Sequence, residues 1–514
     1  MDPVRQEMQQ THQAEFSGER SSQDENHLPF DRTEIEEPGS EFDDQENQHV
    51  KKREEAQDAC GKEVDEHAER KGIDACPDPS RVDQQIRDHH RDKVNVKEIG
   101  AQPGHDALLR PGAHADTFDH NDYRIHVVIS PDDCKVCHAI EGEQYSKNIM
   151  AHAYGNLADN ALFQKLEHSI LAGTRYQDTK INLAPANNAT KAEACYYCHG
   201  TRLELSGYET RDTDAAGELK FPIIKGWPNQ GVGRINLDGS MGACSACHSR
   251  HAFSIEMARK PYTCQECHVG PDVPAFKIYE ASKHGNIFAA MHSSWDFTAV
   301  PWTIGKDFNA PTCAACHISL LVNTDEEVVV ERTHQVNNRL PWRIFGLIYA
   351  HPHPQKPDTS IIRNKDDLPL PTDFDGGFAT TYLIDEKERE VRKQAMQASC
   401  LNCHDSSWVR GHWQRFENTI RETNGATRTA TLIMEDIWRS GFADKKGSPY
   451  NEAIERQWSD TWLFYSNSIR FASAMAGGGD YSVFAGGRYH LSKTLLELSD
   501  WFEMRKKPDS VTKK

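Results

Sequence analysis

From Asp385 onward the alternation of apolar and polar residues turns helical. EKEREVRKQAMQASCLNCH comes first, and ENTIRETNGATRTATLIMEDIWRSGF and NEAIERQWSDTWLFYSNSIRFASAMA then carry apolar residues at three- and four-residue spacing. HLSKTLLELSDWFEMRKK predicts a final helix with a basic tail. Upstream, EGEQYSKNIMAHAYGNLADNALFQKLEHSIL also reads as helical. YRIHVVIS, starting at Tyr123 and ending before Pro131, reads as a short strand at which the folded part begins. Between them and the C-terminal third, LSGYETRDTDAAGELKFPIIKGWPNQGVGRINLDGS has the Gly, Pro and Asp content of a loop, and the Pro-rich residues 337–380 predict irregular chain. Residues 1–50 show no periodicity, so disorder is expected to about residue 100. Residues 51–98 could form a charged helix with Cys60 and Cys76 in or near it.

Three segments result: an acidic extension over 1–100, a cysteine- and histidine-rich body over 101–380, and a C-terminal helical region over 381–514. The middle segment changes the picture most. Cys-x-x-Cys-His occurs there at Cys134/Cys137/His138, Cys195/Cys198/His199, Cys244/Cys247/His248, Cys264/Cys267/His268 and Cys313/Cys316/His317. A sixth copy, Cys400/Cys403/His404, lies in the helical region. This is the attachment sequence of c-type haem: two thiols add across the vinyl groups, and the adjacent imidazole becomes the proximal ligand. Zinc or a redox disulfide would use the Cys-x-x-Cys pair but would not fix His next to it six times in six. Six covalent haems c are therefore expected, with His138, His199, His248, His268, His317 and His404 as proximal iron ligands. The expected fold is mainly α, a haem-packed core with a C-terminal helical bundle.

Composition agrees once haem is admitted. The hydrophobic fraction is 37%, low for a chain of 514 residues, and flat apolar macrocycles substitute for side-chain core. A net charge of −19 argues against a nucleic-acid partner. Fourteen acidic and three basic side chains in residues 1–50 contribute much of it. No apolar run is long enough for a transmembrane segment. Thioether attachment is completed outside the cytoplasmic membrane, so a periplasmic or extracytoplasmic location is expected, although residues 1–30 contain no apolar signal-peptide core.

Each iron has one axial position beyond the proximal His. A second imidazole closes it for electron transfer; a vacant position admits a small molecule. Thirteen histidines from His114 onward lie outside the motifs. His152, His251, His284, His334, His353 and His412 are the candidate distal ligands. His251 follows His248 too closely to cross to the other face of the same haem, so it would serve a neighbour.

CSACHSRHAFS, the R-K-P-x-x-C-x-x-C-H-x-G-P-D that follows, IYEASKHG, APTCAACH and the C-terminal GGGDYSVFAGG resemble the hydroxylamine oxidoreductase family of multihaem cytochromes over about residues 130–503. The resemblance implies a mostly helical, haem-packed fold, a periplasmic homotrimer, one catalytic haem open to substrate and the rest acting as wires. It places the catalytic haem on Cys195 and Cys198 with His199 proximal, Asp272 over the iron as proton carrier, and Tyr481 as the tyrosine that oxidative members bond to the haem, with Tyr489 the less favoured substitute. Three features depart from the family pattern: six motifs in place of eight, Val273 where a His pairs with the Asp, and Ala485 four residues after the tyrosine. The expected function is thus an oxidoreductase acting on small nitrogen compounds, either hydroxylamine oxidation or nitrite or hydroxylamine reduction, with a partner cytochrome exchanging electrons. The alternative is an electron conduit with six bis-His haems. An ammonia-forming pentahaem nitrite reductase is disfavoured, because none of the motifs ends in Lys.

Overall fold

The structure, a computed structural model, describes residues 117–120, 123–214, 217–250, 252–476 and 481–507. The acidic extension, Cys60, Cys76 and His251 lie outside the described residues.

Strands β1 (Thr117–His120) and β2 (Tyr123–His126) form an antiparallel hairpin leading to the first motif, so a strand does stand where YRIHVVIS predicts one. Helix α1 (Pro131–Lys135) starts at a proline, whose fixed φ suits a first turn, and the Ser130 N–H donates to the Asp133 carboxylate at 2.8 Å. The helical stretch after it is broken into α2 (Ala139–Ser146), α3 (Ala153–Ala158) and α4 (Ala161–Leu171). Asparagines mark the breaks: Asn160 Oδ1 accepts the N–H groups of Leu162 and Phe163, each at 3.0 Å, and starts α4 afresh.

After the exposed hairpin of β3 (Gly173–Gln177) and β4 (Lys180–Ala184), the second motif forms the short helix α5 (Cys195–His199). The segment expected to be loop corrects the sequence reading: β5 (Glu204–Thr213) and β6 (Gly217–Lys225) pair antiparallel along nearly their whole length. Both faces of this ribbon are largely solvated, so the apolar–polar alternation that announces a half-buried strand is weak. Residues after Lys225 are loop, and they close on α5. A Cβ on Gly231 would come 2.3 Å from the Gly200 nitrogen, and one on Gly233 would come 2.7 Å from the His199 carbonyl oxygen. Only glycine permits that approach.

The dense middle of the chain holds α6 (Pro261–Gln265), α7 (Ala275–Ala281), α8 (Lys283–Met291) and α9 (Cys313–His317). Beside them lies a three-stranded sheet of β7 (Trp302–Thr303), β8 (Leu321–Val322) and β9 (Val328–Val330). Phe288, Trp295, Phe297, Trp302 and Phe308 pack there as one aromatic cluster. Residues 337–380 are mostly turns, as their proline content predicts, apart from a 3₁₀ turn and one small strand pair whose two strands are β10 (Trp342–Arg343) and β11 (His351–Pro352).

Helix α10 (Glu386–Leu401) delivers the sixth motif, and α11 (Ser406–Arg439) follows directly. Asp405 stops one helix and starts the next, its Oδ1 accepting from the Ser407 and Trp408 N–H groups at 2.9 and 3.0 Å. On α11, Val409, Trp413, Phe416, Ile420, Thr427, Met434 and Ile437 form the buried stripe. It packs on α12 (Ala453–Asp460), a π turn (Thr461–Tyr465), α13 (Ser466–Ala476) and α14 (Tyr481–Lys506). Leu162 and Leu166 of α4 join the same cluster, with Trp438, Trp458, Trp462, Leu498 and Phe502. The fold is therefore mainly α with a C-terminal bundle, as expected.

Trp458 is wholly buried, edge-on to Trp438 and Trp462, and its Nε1–H donates to Thr431 Oγ1 at 3.1 Å. Trp458→Ala is expected to destabilise the bundle by about 3–5 kcal/mol, read from the denaturant midpoint of α-helical circular dichroism. A loss below about 1 kcal/mol would show that this cluster does not hold the bundle together.

Candidate functional site

Each Cys-x-x-Cys-His is built as a single tight turn that brings its second thiol and its imidazole back over the first. The His N–H donates to the carbonyl of the first Cys in the first, third, fourth and sixth motifs, at 2.8, 2.9, 2.9 and 2.9 Å. The second and fifth motifs are the one-turn helices α5 and α9. None of the described cysteines is in a disulfide, and no three-residue group of metal-ligand type is assembled among the described residues. A closed zinc site needs four converging donors, so the donor geometry does not serve zinc.

Motifs distant in sequence meet in space. The thiols of Cys134 and Cys244, of Cys198 and Cys267, and of Cys264 and Cys313 lie within hydrogen-bonding reach of each other. The Cys316 thiol feels those of Cys400 and Cys403, and Cys247 that of Cys264. The attachment points thus run first, third, fourth, fifth, sixth, with the second branching from the fourth.

Inside the molecule the imidazoles are held in a state suited to iron. Burial is the largest influence on His199 and His317, pushing each down to about 4 and keeping the rings neutral. Their Nδ1 atoms, with those of His334 and His412, are buried without a hydrogen-bond partner. His284 on α8 faces His404 with ring centroids 6.1 Å apart. Two imidazoles bonded to opposite faces of one iron, each through a bond of about 2.0 Å, have centroids roughly 6 Å apart. The residues present at these motifs therefore fit covalently held haem.

His138 differs from the other motif histidines in its surroundings. Its side chain is not buried but 70% exposed, and its Nδ1 lies 4.0 Å from the Glu141 carboxylate one turn along α2. The physical reason is its place at the end of the line of attachment points. His138 is the residue before α2, between the exposed Cys137 and the exposed Ala139 and Ile140, and Val136 is 83% exposed beside it. The spacing that makes the motif is local and does not depend on burial, so the sequence could not distinguish this surface copy from the interior ones.

The other candidate ligands are dispersed. His334 lies between the first and third motifs, with burial and then His248 keeping it neutral, and its main-chain N–H donates to Gln144 Oε1 at 2.9 Å. His152 is next to Ala153, whose backbone contacts His199, and its Nε2 is 3.0 Å from the Ser146 carbonyl. His412 stacks on Trp408, which stacks on His404 at 4.0 Å. His353 is buried on the strand segment that includes β11, with Nδ1 3.2 Å from the Pro354 carbonyl. His351, which the sequence reading does not single out, is equally buried, with Nδ1 2.7 Å from the Pro352 carbonyl. In both, an Nδ1–H donated to that carbonyl leaves Nε2 as the exposed lone pair, the arrangement of a metal-ligating histidine. The alternation His-Pro-His-Pro, which sets both rings on one strand face, is the signal that could have found the pair.

Asp272 lies where the second and fourth motifs meet: its carboxylate acts on the Cys195 and Cys198 thiols and on His268. Its carbonyl accepts from Asn467 Nδ2 at 3.2 Å. Asn467 Oδ1 in turn accepts from Arg470, and Arg470 donates to Asn424, which pairs with the main chain of Ala350. A continuous polar chain therefore links Asp272 to the His351 strand. Val273 packs with Phe345 and Phe471 in an apolar cluster, so no second imidazole stands beside the carboxylate at that position. Tyr481 opens α14; Tyr489, two turns on, is 64% exposed and turned edge-on to His490.

Six thiol pairs with adjoining imidazoles, carried on a mainly helical frame, define a multihaem protein of c type. Residues 233–343 match the family described as "Seven times multi-haem cytochrome CxxCH". A solved "Hypothetical multiheme protein" superposes with a TM-score of 0.70 at 37% identity, covering 77% of this chain and 83% of that one. A curated relative, the "Probable nitrite reductase-hydroxylamine oxidoreductase fusion protein" of Kuenenia stuttgartiensis, is 42% identical over 345 residues. That match covers 60% of this chain but only 38% of the relative. The chain belongs to the multihaem c-type cytochromes. It carries covalently bound haem c, and no helix among the described residues is long and apolar enough to cross a membrane.

Proposed function

We propose that this cytochrome is an oxidoreductase for small nitrogen compounds, hydroxylamine or nitrite, with its one open site at Cys195, Cys198 and His199. The observation that carries the reading is the position of Asp272, a carboxylate at the junction of the second and fourth motifs, tied by its main chain to the polar chain through Asn467. Haem, when bound, would accept electrons in oxidation or supply them in reduction, and would offer an iron to which a substrate nitrogen can bind. Asp272 accepts or delivers the accompanying protons, without the imidazole that Val273 replaces. Six haems are carried in all, and the second, a side branch on the fourth, is suited to chemistry while the other five conduct. The first of those five, held by Cys134, Cys137 and the exposed His138, is one end of the line and the point at which a partner would exchange electrons. A bond from Tyr481 to the macrocycle would bias the site toward oxidation; without it, reduction is the direction favoured. Work outside the cytoplasm, assembly as a homotrimer and exchange of electrons with a partner cytochrome complete the proposal.

His284 is the distal ligand of the sixth haem in this reading, and His334 serves the first or third. His284→Ala is expected to turn one low-spin haem high-spin without changing the haem count, read by visible and EPR spectra. An unchanged spectrum would remove His284 from the ligand set.

A second reading, a conduit with every iron bis-His, is favoured by the buried His351 and His353, whose Nε2 atoms are free to ligate. The EPR spectrum of the oxidised holoprotein separates the two. One high-spin ferric haem, with turnover of hydroxylamine or nitrite, supports the enzyme; uniformly low-spin haems leave the conduit.

A further inference from the structure

Arg343 on β10 pairs directly across from His351 on β11, so their side chains share one face of the strand pair. Its guanidinium lies 4.9 Å over the Phe345 ring. It donates no hydrogen bond and meets no carboxylate among the described residues, and burial alone accounts for its lowered pKa, about 10. Arg470 stands behind the same strand, wholly buried. Its donors go to neutral oxygens: Ser466 O at 3.0 Å, Asn424 Oδ1 at 3.2 Å and Asn467 Oδ1 at 3.1 Å. Asn424 Nδ2 donates to the Ala350 carbonyl at 2.8 Å, so the second guanidinium is anchored one residue from His351. Both cations act on His351, and Arg343 also acts on His353 and His199. No acidic side chain among the described residues offsets either arginine.

Arg343 is part-buried, and a guanidinium partly withdrawn from water with no acidic partner is stabilised when an anion completes it. The Arg343 fork is also the geometry that binds two oxygens of one planar anion. We propose that Arg343, with Arg470 behind it, seats a carboxylate-like oxyanion at the His351 strand beside the second haem motif. Two anions share that chemistry, a haem propionate and free nitrite. The inference rests on haem attachment at Cys195 and Cys198.

The test compares Arg343→Gln and Arg343→Lys holoprotein with wild type. The pyridine haemochrome count reports on attachment separately: a wild-type protein without haem on the second motif fails the attachment reading itself, whereas variants that load haem fully yet behave as wild type fail this inference alone. Nitrite is titrated into the oxidised protein by visible spectroscopy, and the haem midpoint potentials are measured by potentiometry. If the anion is nitrite, Arg343→Gln weakens its binding about tenfold or more. If it is a propionate, nitrite binding is unchanged, and one haem's potential falls because a neighbouring positive charge has gone. Arg343→Lys keeps the charge and loses the fork, so it shows the same change in smaller degree; it decides alone should the Gln variant not load haem. Variants equal to wild type in both nitrite affinity and potentials overturn the proposal.

Discussion

Replacing Cys195 and Cys198 together with serine is expected to remove one haem of the six proposed, abolish the high-spin signal and reduce turnover of hydroxylamine or nitrite to background. The effect is the largest expected of any substitution because the second motif is a side branch on the fourth and not a member of the line, so on the proposed function its loss removes the reaction site and leaves the other attachment points intact. Serine keeps the size of the thiol but forms no thioether. The matching change at Cys134 and Cys137, at one end of the line, is the control: one haem is lost and the high-spin signal stays. Haemochrome counts and EPR spectra of the two double variants check the pair of outcomes. A high-spin signal that survives at the second motif but disappears at the first would place the open iron elsewhere.

Asp272→Asn is expected to lower kcat by roughly 10²–10⁴-fold while leaving the high-spin signal and the haem count as they are. Asparagine preserves the side-chain shape, and the main-chain contact from Asn467 does not depend on the carboxylate. What is lost is a group that can exchange a proton at the junction where Cys195, Cys198 and His268 converge. With Val273 packed against Phe345 and Phe471, no imidazole at that position substitutes for it. Steady-state turnover beside EPR separates this loss from damage to the haem site. An unaffected kcat would show that protons travel by another route.

The attachment chemistry could be read in the sequence because it is local: the thiols and the imidazole sit within one turn of chain, at a spacing fixed by the macrocycle. The surroundings of each motif are not local, which is why His138 at the surface looks the same in sequence as the enclosed His268. The C-terminal helices were equally legible, since α11 buries a continuous stripe from Val409 to Trp438 and the three- and four-residue spacing records it. The β5–β6 ribbon was not. Its residues face water on both sides, so neither period dominates and the glycines and aspartates of its turn colour the whole segment. The surroundings of His351 were hidden for a different reason. Arg343, Asn424 and Arg470 come from three separate stretches, and only the folded chain brings them to one strand. The His-Pro-His-Pro alternation marks His351 and His353 as a pair, but does not show that both are enclosed. The burial of the pair depends on the β10–β11 pairing and on the hydrogen bond from the His353 N–H to the Pro341 carbonyl, which a single-residue reading does not see.

Peptide mass mapping of the purified holoprotein tests the central claim most directly. Each of the six peptides bearing Cys134/Cys137, Cys195/Cys198, Cys244/Cys247, Cys264/Cys267, Cys313/Cys316 and Cys400/Cys403 should carry the mass of one haem through two thioether bonds. Recovery of any of these peptides with free thiols, a disulfide or zinc in place of haem would contradict it.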